Sequence, residues 1–91
     1  MKQEKRSRFQ IYFDILQVIC CDSEEEQLNP TRIAHKSNLP YDRFRNYLNH
    51  LMELGLVYRK PSGDLTVTER GMEFVKEYEK MAVFLKNMGL L

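Results

Sequence analysis

A mainly helical domain with one small β-hairpin is the fold class that this 91-residue sequence predicts. Three observations carry it. Apolar residues recur at the three- and four-residue spacing of amphipathic helices in separate stretches along the chain. Two short runs rich in β-branched or aromatic residues, "LVYRK" and "LTVT", flank the turn-forming "PSGD". Pro30 and Gly55 stand where one helix would start and another would stop.

In the first element, Phe9, Tyr12, Phe13, Leu16, Ile19 and Cys20 follow helical spacing, which predicts a helix over residues 9–20. Ile11, Ile15 and Val18 widen its stripe beyond what one small core needs. Cys20 and Cys21 are adjacent and cannot reach ordinary disulfide geometry on a helix, so they read as small core hydrophobes. The acidic "DSEEEQ", with Asp22, Glu24, Glu25 and Glu26, reads as a solvated loop or frayed helix end. Asn29 as N-cap and Pro30 in the first helical position, where its missing N–H costs nothing, open a short helix that runs to about Ser37. "SNLP" breaks the chain, and a further helix spans residues 40–54 before Gly55 ends it in a left-handed turn.

At 100° per residue, Tyr41, Phe44, Tyr47, Leu48, Leu51 and Met52 fall within an arc of about 140°, one buried stripe. Asp42, Asn46, Asn49 and Glu53 centre the opposite side, flanked by Arg43 and Arg45. Asp42 complements the positive end of the helix dipole and reads as structural. After the hairpin, Thr68 is the N-cap of a last helix of about 20 residues, about 30 Å long.

Helix, helix, break, helix, strand, turn, strand, helix is a winged-helix arrangement with an added long helix. The expected division is a winged helix-turn-helix domain over residues 1–67 and a C-terminal helix, expected to dimerise, over 68–91. The stretches "TRIAHKSNLPYDRFRNYLNHLMELGLV" and "DLTVTERGMEFVKEY" place Tyr41, Tyr47, Leu48, Leu51, Gly55, Leu56, Thr68 and Gly71 at matching positions of a known pattern. The sequence resembles the small archaeal winged-helix DNA-binding proteins that dimerise through a long C-terminal antiparallel coiled-coil helix. The resemblance covers nearly the whole chain and implies double-stranded DNA and a second copy of the chain as partners.

The charge is unevenly spread. Net charge is only +1, and the pI of about 7.8 lies below the value of about 9 that marks many nucleic-acid-binding domains. Yet Lys2, Lys5, Arg6 and Arg8 against Glu4 leave the first eight residues at +3, and residues 29–60 stand at +4. Arg43 and Arg45, with Asn46, Asn49 and Tyr41, are the candidate groups for base edges and phosphates on the recognition helix. Arg32 and Lys36 before it, and Arg59 and Lys60 on the wing, are candidates for backbone phosphate contacts. The basic N-terminal arm is a further phosphate-binding candidate. The alternative is a winged helix that binds another protein, since fold alone does not imply function.

A domain this small gains from extra burial, because a chain near 60 residues hides only about 60% of its unfolded surface. Met72, Val75, Tyr78, Ala82 and Leu85 recur at coiled-coil spacing, and Phe74, Met81, Phe84 and Met88 broaden that face. The expected dimerisation residues are therefore Tyr78, Met81, Ala82, Leu85 and Met88, joined by the spare Ile11, Ile15 and Val18 stripe. No apolar run reaches the roughly 18 residues of a membrane span, and "MKQEKRSR" does not lead into a signal-peptide block. The expectation is a cytoplasmic, nucleoid-associated protein with no membrane partner. His35 and His50 lack further ligands at metal-binding spacing, and no nucleophile, base or Gly-rich phosphate loop is present, so no metal, cofactor or catalysis is expected.

Overall fold

The computed structural model describes residues 6–21 and 29–90. The acidic block of Asp22, Glu24, Glu25 and Glu26, the bases Lys2 and Lys5 and the side chain of Cys21 lie outside the described residues. Six elements follow in order: α1 (Arg8–Cys21), α2 (Pro30–Lys36), α3 (Tyr41–Glu53), β1 (Val57–Arg59), β2 (Leu65–Val67) and α4 (Glu69–Asn87). The order is the predicted one, and each boundary falls within a residue or two of its signal.

Local chemistry accounts for those boundaries. The Asn29 side chain accepts the Arg32 N–H at 2.8 Å and opens α2. That helix closes in a left-handed turn at Asn38, φ +59°, where the N–H groups of Asn38 and Leu39 donate to the carbonyls of His35 and Ala34. α3 ends the same way at Gly55, φ +77°, with Gly55 N–H on Met52 O and Leu56 N–H on Leu51 O. β1 and β2 pair antiparallel with Val57 opposite Val67 and Arg59 opposite Leu65. Thr68 then caps α4: its hydroxyl accepts the Gly71 N–H at 3.0 Å and donates to the Gly55 carbonyl at 2.6 Å. One side chain therefore ties the start of α4 to the end of α3.

α1 lies at the centre and packs against α2, β2 and α4. Its Ile11, Ile15, Leu16 and Ile19 meet Ile33 of α2 and Phe44, Leu48 and Leu51 of α3, with Val57, Leu65 and Val75 completing the core. Full burial of Phe44 alone stabilises by roughly 1.5–3 kcal/mol.

Three expectations about side-chain placement are corrected. Ile11 and Ile15, expected on a spare stripe for a second copy, are fully buried in the protomer's own core, and Val18 is half-buried against it. Phe9 is instead 59% exposed. α1 is apolar on nearly every side, so periodicity reports a stripe without choosing its face; three packed neighbours choose it. Cys20, expected in the core, is exposed on the last turn of α1, with its sulfur 3.7 Å from Met72 Sδ. Tyr41, expected in the buried stripe of α3, is 45% exposed, because it opens the first turn at the edge of the core and rests against Phe44 with ring centroids 6.4 Å apart.

Candidate nucleic-acid interface

Tyr41, Arg45 and Asn49 are successive members of an i, i+4 row and so lie on one side of α3. β1 runs beside that row: Val57 is buried in the core, and Arg59, two residues on along the same face, is exposed at the end of the strand. Between them is a cleft of about 290 Å³, lined by Tyr41, Arg45, Asn49 and Arg59, with Pro30 at the start of α2 as one wall. None of the residues lining it is acidic. Two guanidinium groups, a carboxamide and a phenol offer bidentate and single donors to anionic oxygens or base edges, at an electropositive concavity.

Arg43 is placed differently. It lies on the opposite edge of α3, where its Nη2 donates to the Tyr47 hydroxyl at 3.2 Å and its guanidinium stands 5.9 Å from the centre of that ring. Tyr47 packs edge-on against Tyr12, centroids 5.8 Å apart, and the Tyr12 hydroxyl contacts His50 Nδ1. Burial pushes the Tyr12 hydroxyl above its ordinary pKa of 10.0, partly countered by the positive charge of Arg8. Arg32, Lys36, Asn46 and Lys60 are exposed and do not line the cleft. Of the nine predicted residues, the fold thus gathers Tyr41, Arg45, Asn49 and Arg59 in one place. Among the described residues no group of three His, Cys, Asp or Glu side chains is arranged to hold a metal ion.

A second surface is apolar. Phe9, Leu54 and Phe74 form the floor of a groove of about 420 Å³, edged by Arg70, Glu73 and Glu77. It continues into a smaller hollow lined by Phe74, Tyr78 and Met81. Tyr78 stacks on Phe13 at 4.8 Å and on Phe74 at 5.8 Å. Beyond it, Met81, Val83, Phe84, Met88 and Leu90 are exposed on the last turns of α4 and just past its end. Sequence periodicity located this face on α4 but missed Phe9 and Leu54, which only tertiary packing brings to it.

The family pattern described as winged helix-turn-helix matches residues 5–86. The chain belongs to that family. Two uncharacterized proteins of Methanocaldococcus jannaschii are similar to this winged helix-turn-helix chain. MJ0290 is 30% identical over 77 residues, 85% of this chain and 34% of its own length. MJ0287 is 34% identical over 70 residues, 77% of this chain and 67% of its own length. The chain thus spans about a third of the first and two thirds of the second. Among solved structures, the O-methyltransferase NcsB1 from neocarzinostatin biosynthesis, in complex with S-adenosyl-L-homocysteine, superposes with a TM-score of 0.57 at 22% identity, over 74% of this chain and 21% of the enzyme. That likeness shows the winged-helix fold alone. No helix among the described residues is long and apolar enough to cross a membrane.

Proposed function

We propose that this winged helix binds double-stranded DNA as a homodimer, with α3 in the major groove and the β1–β2 wing on the flanking backbone, as a transcription regulator or chromatin-associated protein of the nucleoid. The observation that carries the reading is the cleft between α3 and β1, where Arg45, Asn49, Tyr41 and Arg59 converge without a carboxylate. The role is one of binding, not catalysis, and needs no cofactor.

The second copy is proposed to pack on α4. Residues 69–79 of that helix carry a net charge of −2 and residues 80–90 a net of +2. Antiparallel pairing brings opposite charges together, while parallel pairing opposes like charges, and Met81, Ala82, Leu85 and Met88 supply the apolar seam with Tyr78. A winged helix that docks another protein is the second reading, favoured by the groove of Phe9, Leu54 and Phe74.

Titration of labelled random and genomic duplexes across a salt series tests the DNA reading. With about four phosphates neutralised per protomer, the log–log slope of affinity against salt is expected near −7. A flat response, or no binding at low salt, sinks it and leaves the protein-docking reading.

A further inference from the structure

A continuous chain of polar contacts runs from α4 to the turn in front of α3. The Tyr78 hydroxyl donates to Gln10 Oε1 at 2.8 Å. Gln10 Nε2 donates to Asp14 Oδ1 at 2.8 Å. Asp14 Oδ2 accepts Arg6 Nη1 at 2.9 Å, an ion pair whose two side chains are about three-quarters shielded from solvent. Arg6 then reaches across 31 residues of sequence: Nη1 donates to the Ser37 carbonyl at 3.0 Å and Nη2 to the Asn38 carbonyl at 3.2 Å. Every link joins a donor to an acceptor, and Gln10 uses both ends of its amide.

The receiving carbonyls belong to the left-handed turn that closes α2. Asn38 sits there at φ +59°, and Pro40 precedes the first residue of α3. A small rotation at this turn swings the whole recognition helix, so whatever holds its carbonyls sets the angle of α3. Arg6, expected in a phosphate-binding arm, points its guanidinium into the protein at these two carbonyls and at Asp14. At the far end of the chain, Tyr78 lines the open apolar hollow of α4 with Phe74 and Met81.

We infer that Arg6 is a positioning residue for α3, and that the chain from Tyr78 through Gln10 and Asp14 couples the apolar face of α4 to the recognition helix. Cover on that face fixes the Tyr78 ring, the ring orients Gln10, and Gln10 with Asp14 holds the guanidinium on the turn. Its consequence for affinity rests on the DNA reading proposed above; the coupling does not.

The test uses the whole chain and two readouts. The first is backbone amide exchange without DNA, at Asn38 and Leu39, whose N–H groups are bonded to His35 and Ala34. Exchange there is expected to quicken about tenfold, or about 1.4 kcal/mol, in both Arg6→Ala and Arg6→Lys, since an ammonium cannot hold two carbonyls and a carboxylate in one plane. It is expected to quicken about threefold in Tyr78→Phe and in Gln10→Met, the latter leaving the α4 face intact, with the amides of Ile15 and Leu16 unchanged. The second readout is duplex affinity across salt: Arg6→Ala and Arg6→Lys weaken binding about tenfold with the salt slope unaltered. Rescue by Lys, or in Arg6→Ala a slope shallower by about 2 (one phosphate lost from each protomer of the dimer), makes Arg6 a direct phosphate contact and overturns the positioning role. Unchanged exchange at the turn in both Tyr78→Phe and Gln10→Met overturns the coupling. If the wild-type chain binds no duplex, the DNA reading is what fails, and amide exchange still decides the coupling.

Discussion

Arg43 and Arg45 are two residues apart on one helix and have different work available to them. Arg43 is held against the Tyr47 ring and hydroxyl, whereas Arg45 lines the cleft with Asn49 and Arg59. Spacing alone treats the two as a symmetric pair; the packing of Tyr47 against Tyr12 breaks the symmetry. Arg45→Ala is therefore expected to reduce sequence preference by about 1–3 kcal/mol, the range of a lost bidentate base contact, and Arg43→Ala by much less. Competition binding with single-base variants of a preferred duplex measures both, and equal losses would contradict the assignment. Tyr12 gives a second prediction, on pH. Its folded-state pKa is raised above 10.0 by burial, so the unfolded chain gives up this proton before the folded chain does. Its contribution to stability is complete below about pH 10 and is lost as pH rises through the folded value. Urea midpoints followed into the alkaline range should decline in the wild type, with a flatter decline in Tyr12→Phe; identical profiles would exclude Tyr12 as a source.

α4 meets the rest of the domain at one point of contact without slack. A Cβ built on Gly71 would lie 2.2 Å from the Leu56 carbonyl oxygen and 2.6 Å from Val67 Cγ1. The first obstacle is backbone in the turn that ends α3, so it cannot give way as a flexible side chain would. Gly71→Ala is expected to destabilise by about 3 kcal/mol, read as a lower urea midpoint, by forcing α4 off the hairpin. A midpoint equal to wild type would mean that the helix shifts freely. The same contact explains why a helix-weakening residue stands inside α4: close approach to Leu56 outweighs the roughly 1 kcal/mol of lost helix propensity. At the level of elements, then, the hairpin, the end of α3 and the start of α4 form one unit, with Thr68 bonded to both Gly55 and Gly71.

For the molecule as a whole, the question is what covers the second half of α4. Gly71 and Val75 close the protomer's core, but Phe84 is 60% and Met88 61% exposed. Met81, Phe84 and Met88, exposed at three- and four-residue spacing over about two turns, have the pattern of an interaction surface. A two-fold pair built there would present two recognition helices, and joining two sites raises avidity without new contacts. Leu85→Glu, or truncation after Glu79, is expected to give a monomer by light scattering, with the hairpin intact and much weaker DNA binding. Truncation after Glu79 keeps Gly71 and Val75, so the core survives it. A full-length chain that scatters as a monomer at micromolar concentration would refute the dimer.

By itself the sequence determined the elements, their order and their ends. Asn29, Gly55 and Thr68 cap their helices through hydrogen bonds to residues three positions away, and Pro30 acts only through its missing N–H and fixed φ in the first turn, so these signals are readable without a fold; the second bond of Thr68, to Gly55, is not. The same holds for the arc of Phe44, Leu48 and Leu51, and for the candidate status of Arg45, Asn49 and Arg59. Tertiary structure alone decided which side of the all-round apolar α1 became core, that Arg59 meets Arg45 across one cleft while Arg43 turns to Tyr47, and that Arg6 and Tyr78 bracket a polar chain through Gln10 and Asp14. Those contacts join residues up to 68 positions apart. Their geometry follows from how side-chain volumes let helices cross, and periodicity along a single element carries no information about that crossing.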